Sequence, residues 1–230
     1  MKIAVFSDIH GNIEVLKTIL EDIKKENINR IICLGDVIAI GPNSKECLDL
    51  IIDNNVELLL GNHELYYLYG CHIDPNMTKG ENKHQAWVKS LLNEKHRDFL
   101  MNCKIEDKIL FDNKTIILTH FLIEDINKPY PFYGLVEYKD NLCKTKYDYT
   151  IIGHEHKSFV YEKENKKVIC LGSSGCVKSN LTKYTILDLT NDLKIINKEL
   201  EFDRIKFEEI FNNINYPEKD FVGKVFFGIE

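Results

Sequence analysis

The chain has 230 residues, 44% of them apolar, and a formal net charge of −6. That length sets one large domain, or one domain with an appendage, and that apolar share supports a sizeable core. The acidic balance gives no basic footprint for a long nucleic acid, the apolar runs are far too short to cross a bilayer, and charge arriving by Asp8 leaves no room for a signal peptide.

Ile3 to Phe6 is a short apolar run that reads as a buried strand. It ends in Ser7, and Asp8 and His10 follow with one residue between them. Alternate residues of an extended chain share a side, so a carboxylate and an imidazole leave the strand end together. In open α/β sheets that end is where ligands bind, and an Asp and a His aimed at one point begin a metal site. A helix-capping Asp and an exposed His would look the same on this stretch alone.

Gly11-Asn12 leads into Ile13, Val15, Leu16, Ile19, Leu20 and Ile23, a helical period with Asn12 as N-cap. Arg30 to Leu34 is a second buried strand ending at Gly35-Asp36, so strand, helix and strand form a parallel βαβ unit. A turn at 41–44 starts a helix over 45–53. Val56 to Leu60 is a third strand, running into Gly61-Asn62-His63-Glu64. Three strands stopping at a small residue and then polar groups place one site along one sheet edge.

Residues 65–102 are helical in pattern with a break at 72–76, and are expected as a helical insertion or cap. Tyr66, Tyr67 and Tyr69 there serve packing or line a cleft. Trp87, Leu91, Leu92, Phe99 and Leu100 form an inward stripe, while His84 and His96 are expected in solvent.

Strands over 104–111 and 114–118 form a hairpin around Asp112-Asn113, and the second runs into Thr119-His120. A long loop through Phe132 follows, of the kind that carries specificity. The strand 149–152 ends in Gly153-His154-Glu155-His156. Two further hairpins are expected, 158–161 with 167–171 and 182–189 with 193–200, and then a helical tail over 202–230. The first half is βα and the second antiparallel β, which fits two packed sheets with helices outside. Seven scattered cysteines without a CxxC read as free thiols in a reducing compartment.

The strand-end residues Asp8, His10, Asp36, Asn62, His63, His120, His154 and His156 hold five of the eight histidines. They are too many ligands for one tetrahedral zinc and suit two borderline ions such as manganese, iron or zinc.

DxH, GDxx, GNH(D/E), a lone His and GHxH, in that order over about two thirds of the chain, resemble the calcineurin-like metallophosphoesterase superfamily, and within it the small bacterial and archaeal phosphodiesterases. The resemblance implies a single domain over 1–230 with an α/β fold, a four-layer α/β/β/α sandwich of two mixed sheets flanked by helices. It also implies a dinuclear site: Asp8, His10 and His156 on one ion, Asn62, His120 and His154 on the other, and Asp36 bridging. His63 is then the catalytic histidine beside the substrate phosphate, and Glu64 is structural. Asn12 is read both as a helix cap and as a contact to that phosphate.

Two ions held by two carboxylates and a bridging hydroxide keep roughly one positive charge, which draws in a phosphate ester. The hydroxide is expected to attack phosphorus in line, with ions about 4 Å apart clamping the reacting oxygens. The expected enzyme is a cytoplasmic phosphoesterase for a small monoester or diester, a nucleotide among the candidates, working as a monomer or small homo-oligomer. Two other readings are a protein-binding scaffold like the retromer subunit of this fold, and a DNA nuclease like the double-strand-break repair members. Ala39 and Ile40 stand where the protein-phosphatase branch has the Asp and Arg of GDxxDRG, so a bidentate phosphate clamp is absent there.

Overall fold

The computed structural model describes residues 1–122 and 146–230. Among the described residues, ten strands form two five-stranded mixed sheets. The first contains β1 (Lys2–Phe6), β2 (Arg30–Cys33), β3 (Glu57–Leu58), β9 (Leu181–Asp188) and β10 (Lys194–Glu201), in the order β10-β9-β1-β2-β3. The second contains β4 (Glu106–Phe111), β5 (Lys114–Thr119), β6 (Tyr149–Ile152), β7 (Phe159–Lys163) and β8 (Lys166–Cys170), in the order β4-β5-β6-β8-β7. β1, β2 and β3 run parallel, as do β5, β6 and β8; the hairpin partners run antiparallel. This is the α/β architecture of two mixed sheets flanked by helices implied by the motif order.

The period of two along β1 divides the core. Ile3 and Val5 join Ile32, Leu34, Ile116, Leu118, Ile151 and Leu187 between the sheets. Ala4 and Phe6 turn the other way, onto Leu16 and Ile19 of α1 (Ile13–Ile23) and Leu48 of α2 (Ser44–Asp53). Val88 of α4 (Lys79–Leu91), Leu100 of α5 (Glu94–Met101) and Phe207 of α6 (Arg204–Asn213) join the same cluster. Helix α3 (Asn62–Tyr69) begins directly at the end of the third strand's loop, and a short α7 (Lys219–Val222) runs into a π-helical turn over Gly223–Phe227 near the C-terminus.

The expected hairpins are present, with left-handed backbone at Asp112 and Asn113 in one two-residue turn and at Glu164 in the other. β3 is shorter than its apolar run. Past Leu58 the chain splits its pairing: Leu59 donates to Cys33 O, and Leu60 donates instead to Lys104 O, 2.8 Å away. The expected specificity loop after His120 lies largely outside the described residues.

His84 and His96 are not in solvent: they are 5% and 1% exposed. His84 Nε2 accepts the Ile40 N–H at 2.9 Å and its Nδ1 faces Pro217 O. His96 meets Asp49 at 3.0 Å and the Asn93 N–H at 3.1 Å. A buried histidine needs both nitrogens partnered; Asn93 is local, but Ile40, Pro217 and Asp49 come from distant segments that helical periodicity does not display.

Candidate metal centre

The parallel strands of both sheets end along one edge, and the loops that leave them remain bonded to one another. The β1–β2 ladder continues past its last residues, with Asp8 N–H on Gly35 O at 3.0 Å and His10 N–H on Asp36 O at 2.9 Å. On the second sheet Gly153 N–H donates to His120 O at 3.0 Å. His154 N–H then crosses to the Asp8 carboxylate at 3.1 Å, joining the two sheets at the site. A side chain at Gly153 would overlap Ser7 and Asp8, so the crossing requires glycine there.

Asp8, His10 and His120 are fully buried, and Asp36 and Asn62 nearly so. Their donor atoms converge. His10 Nε2 lies 2.9 Å from His156 Nε2, 3.7 Å from Asp8 Oδ1 and 3.7 Å from Asp36 Oδ2. His156 Nε2 is 3.4 Å from Asp8 Oδ1. Across Asp36, His120 Nε2 is 3.2 Å from Oδ2 and 3.1 Å from Asn62 Oδ1, which is 3.0 Å from His154 Nδ1. Ligand atoms about 2.1 Å from one ion are spaced roughly 3.0–3.4 Å apart in octahedral or tetrahedral arrangement. Most of the observed spacings fall close to that range, in two groups that share Asp36.

The electrostatics call for added positive charge. Burial acts to raise the Asp8 carboxyl, yet the charge of His120 and the hydrogen bonds of His10 and His156 hold it well below the usual carboxylate range. Asp36 is likewise held low against its burial, chiefly by His120 and His63. Burial alone would lower His120, but Asp36 and Asp8 raise it to about 9. Burial and the neighbouring His120 push His154 down to about 4. Buried carboxylates flanked by crowded imidazoles, of which His120 and His156 have raised pKa values, are the donor set that divalent cations satisfy.

Five of these residues have left-handed backbone: Asp8, His10, Asp36, His154 and His156, with φ between 48° and 70°. Such conformations are uncommon outside glycine and persist where the surroundings over-determine them. At Asp36 that determination comes from Glu64. Its carboxylate, fully buried, accepts the N–H groups of Asp36 (2.8 Å), Val37 (2.9 Å), Ile38 (3.3 Å) and Gly61 (2.9 Å). One side chain therefore ties the loop after β2 to the start of α3.

His63 stands at the same edge. Its N–H donates to Asp36 Oδ1 at 3.0 Å, and its ring is edge-on to His10 and to Tyr66. A ring nitrogen of His63 lies within 4.8 Å of donor atoms of His10 and Asp36. Burial, offset in part by Asp36, pushes its pKa down to about 3. His63 Nδ1 faces Gln85 Nε2 at 2.5 Å. Gln85 escaped the sequence reading, although it shares the inward α4 stripe with His84 and Val88, and a buried polar residue on such a stripe is itself a signal. Asn12 is fully buried: Oδ1 accepts the Val15 N–H as the α1 cap, and Nδ2 donates to Gly175 O at 3.0 Å. Both ends of its amide are engaged within the fold.

The sequence profile of the calcineurin-like phosphoesterase superfamily domain matches residues 1–192. The chain is 32% identical over 236 residues to the protein named MJ0912 of Methanocaldococcus jannaschii, covering 92% of each. Its fold is similar to that of the hypothetical protein PH1004 from Pyrococcus horikoshii OT3, at TM-score 0.78 and 18% identity over 99% of this chain and 98% of that one. A metallophosphoesterase from Sphaerobacter thermophilus superposes at TM-score 0.73 and 17% identity over 96% of each chain. The protein belongs to the calcineurin-like phosphoesterase superfamily.

Replacing Glu64 with Ala strands four backbone N–H groups in the interior. The variant should lose about 4 kcal/mol of stability, measured by denaturant titration, since each unsatisfied buried donor costs about 1–3 kcal/mol and relaxation recovers part. A loss under about 1 kcal/mol would show that the loop holds itself.

Proposed function

We propose that the protein is a dinuclear metal-dependent phosphoesterase that hydrolyses a small phosphate monoester or diester. The observation that carries this reading is the convergence of Asp8, His10, Asp36, Asn62, His120, His154 and His156 at one edge of both sheets. Asp8, His10 and His156 would hold one ion, Asn62, His120 and His154 the other, and Asp36 would be shared. Such ions, when bound, attract a phosphate ester, neutralise charge developing on it and lower the pKa of water.

The chain's own groups then divide the remaining work. His63 lies beside the cluster without being needed as a ligand, and it donates a proton or hydrogen bond to the ester's leaving oxygen. Gln85 fixes which nitrogen does so. Its amide nitrogen donates to Nδ1, which leaves Nε2 carrying the proton. Tyr66 backs the His63 ring and is itself held by Asp74, to whose Oδ2 its hydroxyl donates at 3.0 Å.

Purified protein loaded with manganese should hydrolyse bis-p-nitrophenyl phosphate or p-nitrophenyl phosphate, and chelator should abolish turnover until metal is restored. Hydrolysis of neither ester at full metal content would favour the scaffold reading, and nicking of plasmid DNA the nuclease one. Metal uptake should release protons, because His120 and His156 carry raised pKa values, about 9 and about 11, before the ions displace those protons. Affinity should therefore rise with pH across the neutral range, as read by titration calorimetry in two buffers.

His63→Ala should keep its metal and lose about a hundredfold or more in kcat. Gln85→Leu, which removes the donor at similar volume, should lower kcat about tenfold with little change in KM. Combined with His63→Ala it should cost nothing further. Full additivity would remove Gln85 from any role exerted through His63.

A further inference from the structure

We propose that Cys176 gives its sulfur to the same ion that His10 and His156 hold, so that one half of the metal centre is a mixed nitrogen, oxygen and sulfur site. The inference rests on the metal centre of the proposed function and adds a ligand that the motif order does not contain.

The thiol is placed by a built turn. Ser174 N–H donates to Ser7 O and Gly175 N–H to Asp8 O, both at 2.9 Å. Ser173 Oγ donates to Asp8 O at 2.7 Å and accepts the Cys176 N–H at 2.7 Å. The Asn12 amide clasps Gly175 O from the other side. Gly175 packs so closely on the Ile9 backbone that a side chain there would overlap it. The turn is thus laced along the strand end that carries Asp8 and His10, and Cys176 cannot move independently of those ligands.

Within that frame the Cys176 sulfur, a nitrogen of His10 and a nitrogen of His156 all lie within 4.8 Å of one another. At metal–sulfur and metal–nitrogen lengths of about 2.3 and 2.1 Å, such atoms stand up to roughly 4.4 Å apart across a shared ion. A shift of a few tenths of an ångström closes the site. Among the other described cysteines, Cys33 donates to Gly35 O, Cys103 to Phe99 O and Cys170 to Gly153 O, so these three thiols are spent on backbone carbonyls. Cys176 alone among the described cysteines clusters with two imidazoles.

Coordination would release the thiol proton to solvent and change no oxidation state. A soft thiolate shifts a site away from magnesium and manganese toward zinc, cobalt and iron. The sequence therefore builds one softer and one harder position around Asp36: sulfur on the His10 side, an amide oxygen from Asn62 on the His120 side.

The test is cobalt(II) loading of the whole chain, with metal content by mass spectrometry and the absorption spectrum recorded together. An intense sulfur-to-cobalt charge-transfer band in the near ultraviolet is expected in the wild type and should vanish in Cys176→Ser and Cys176→Ala. In both variants zinc should lose about tenfold of its advantage over manganese in competition. Bound cobalt without that band overturns the assignment and leaves the metal centre standing, with the thiol then a hydrogen-bond partner of His156. A band that survives in both variants also overturns it. Failure of the wild type to bind cobalt at all overturns both this inference and the metal reading beneath it. The wild-type spectrum decides the question even if a variant misfolds.

Discussion

Two carboxylates with almost no access to water, Asp8 and Asp36, organise this molecule. Removing a charge from water costs several kcal/mol unless other groups compensate it. Here the compensation comes from the chain's most distant parts. Asp8 receives the His154 N–H from the facing sheet and the imidazoles of His10 and His156; Asp36 receives the His63 N–H and faces His120. The same contacts that neutralise the carboxylates hold the two sheets in register at their working edge. Fold and site are one problem in this chain, because the sandwich closes on its charged ends as well as on its apolar middle.

The compensation comes with backbone strain. Asp8, His10, Asp36, His154 and His156 lie in the left-handed region, where a side chain costs of order 1 kcal/mol or more. Ala39 and Ile40 join them just beyond Asp36, and Ile40 is β-branched, the kind of residue least suited to that conformation. Each strained position has an external restraint. Glu64 pins the N–H groups from Asp36 to Ile38, Ser44 Oγ takes the Ala39 N–H, and His84 takes that of Ile40. The helices on the outer face of the first sheet thus do more than cover apolar surface. α3 and α4 reach inward with polar groups that fix the loops bearing the candidate ligands.

Much of this was legible in the chain, and the reason is locality. A short apolar run that stops at a Gly or Ser and then presents Asp, Asn or His carries its own strand, its end and its chemistry within ten residues. That pattern located Asp8, Asp36, Asn62, His120 and His154 together with the strands beneath them. The hairpins at Asp112 and Glu164 were legible for the same reason. What escaped were residues whose role is defined by a partner far along the chain. His84 and His96 sit on charged helices and read as solvated, yet each is buried against a segment more than forty residues away. Gln85 and Cys176 belong to the site only because α4 and the 172–176 turn return to it. Periodicity shows which face is inward. It does not show what a polar group on that face will meet.

The environment of His63 illustrates how a departure from a motif changes chemistry and not merely contacts. In the protein-phosphatase branch the position of Ala39 holds an Asp that orients the catalytic histidine. A carboxylate on Nδ1 stabilises an imidazolium and so raises the pKa of the ring. This chain has Ala39 there and presents Gln85 from a helix instead. An amide N–H pointed at Nδ1 occupies the lone pair that a second proton would need, so it stabilises the neutral ring with its proton on Nε2. Burial acts in the same direction, pushing the pKa of His63 down to about 3. Under the proposed reaction, His63 therefore serves as a neutral, fixed hydrogen-bond donor to the leaving oxygen and not as a charged imidazolium. Under the same proposal the positive charge for phosphate would come from the ions that Asp8, Asp36 and the imidazoles around them would hold, in place of the arginine that the protein-phosphatase branch has where Ile40 stands.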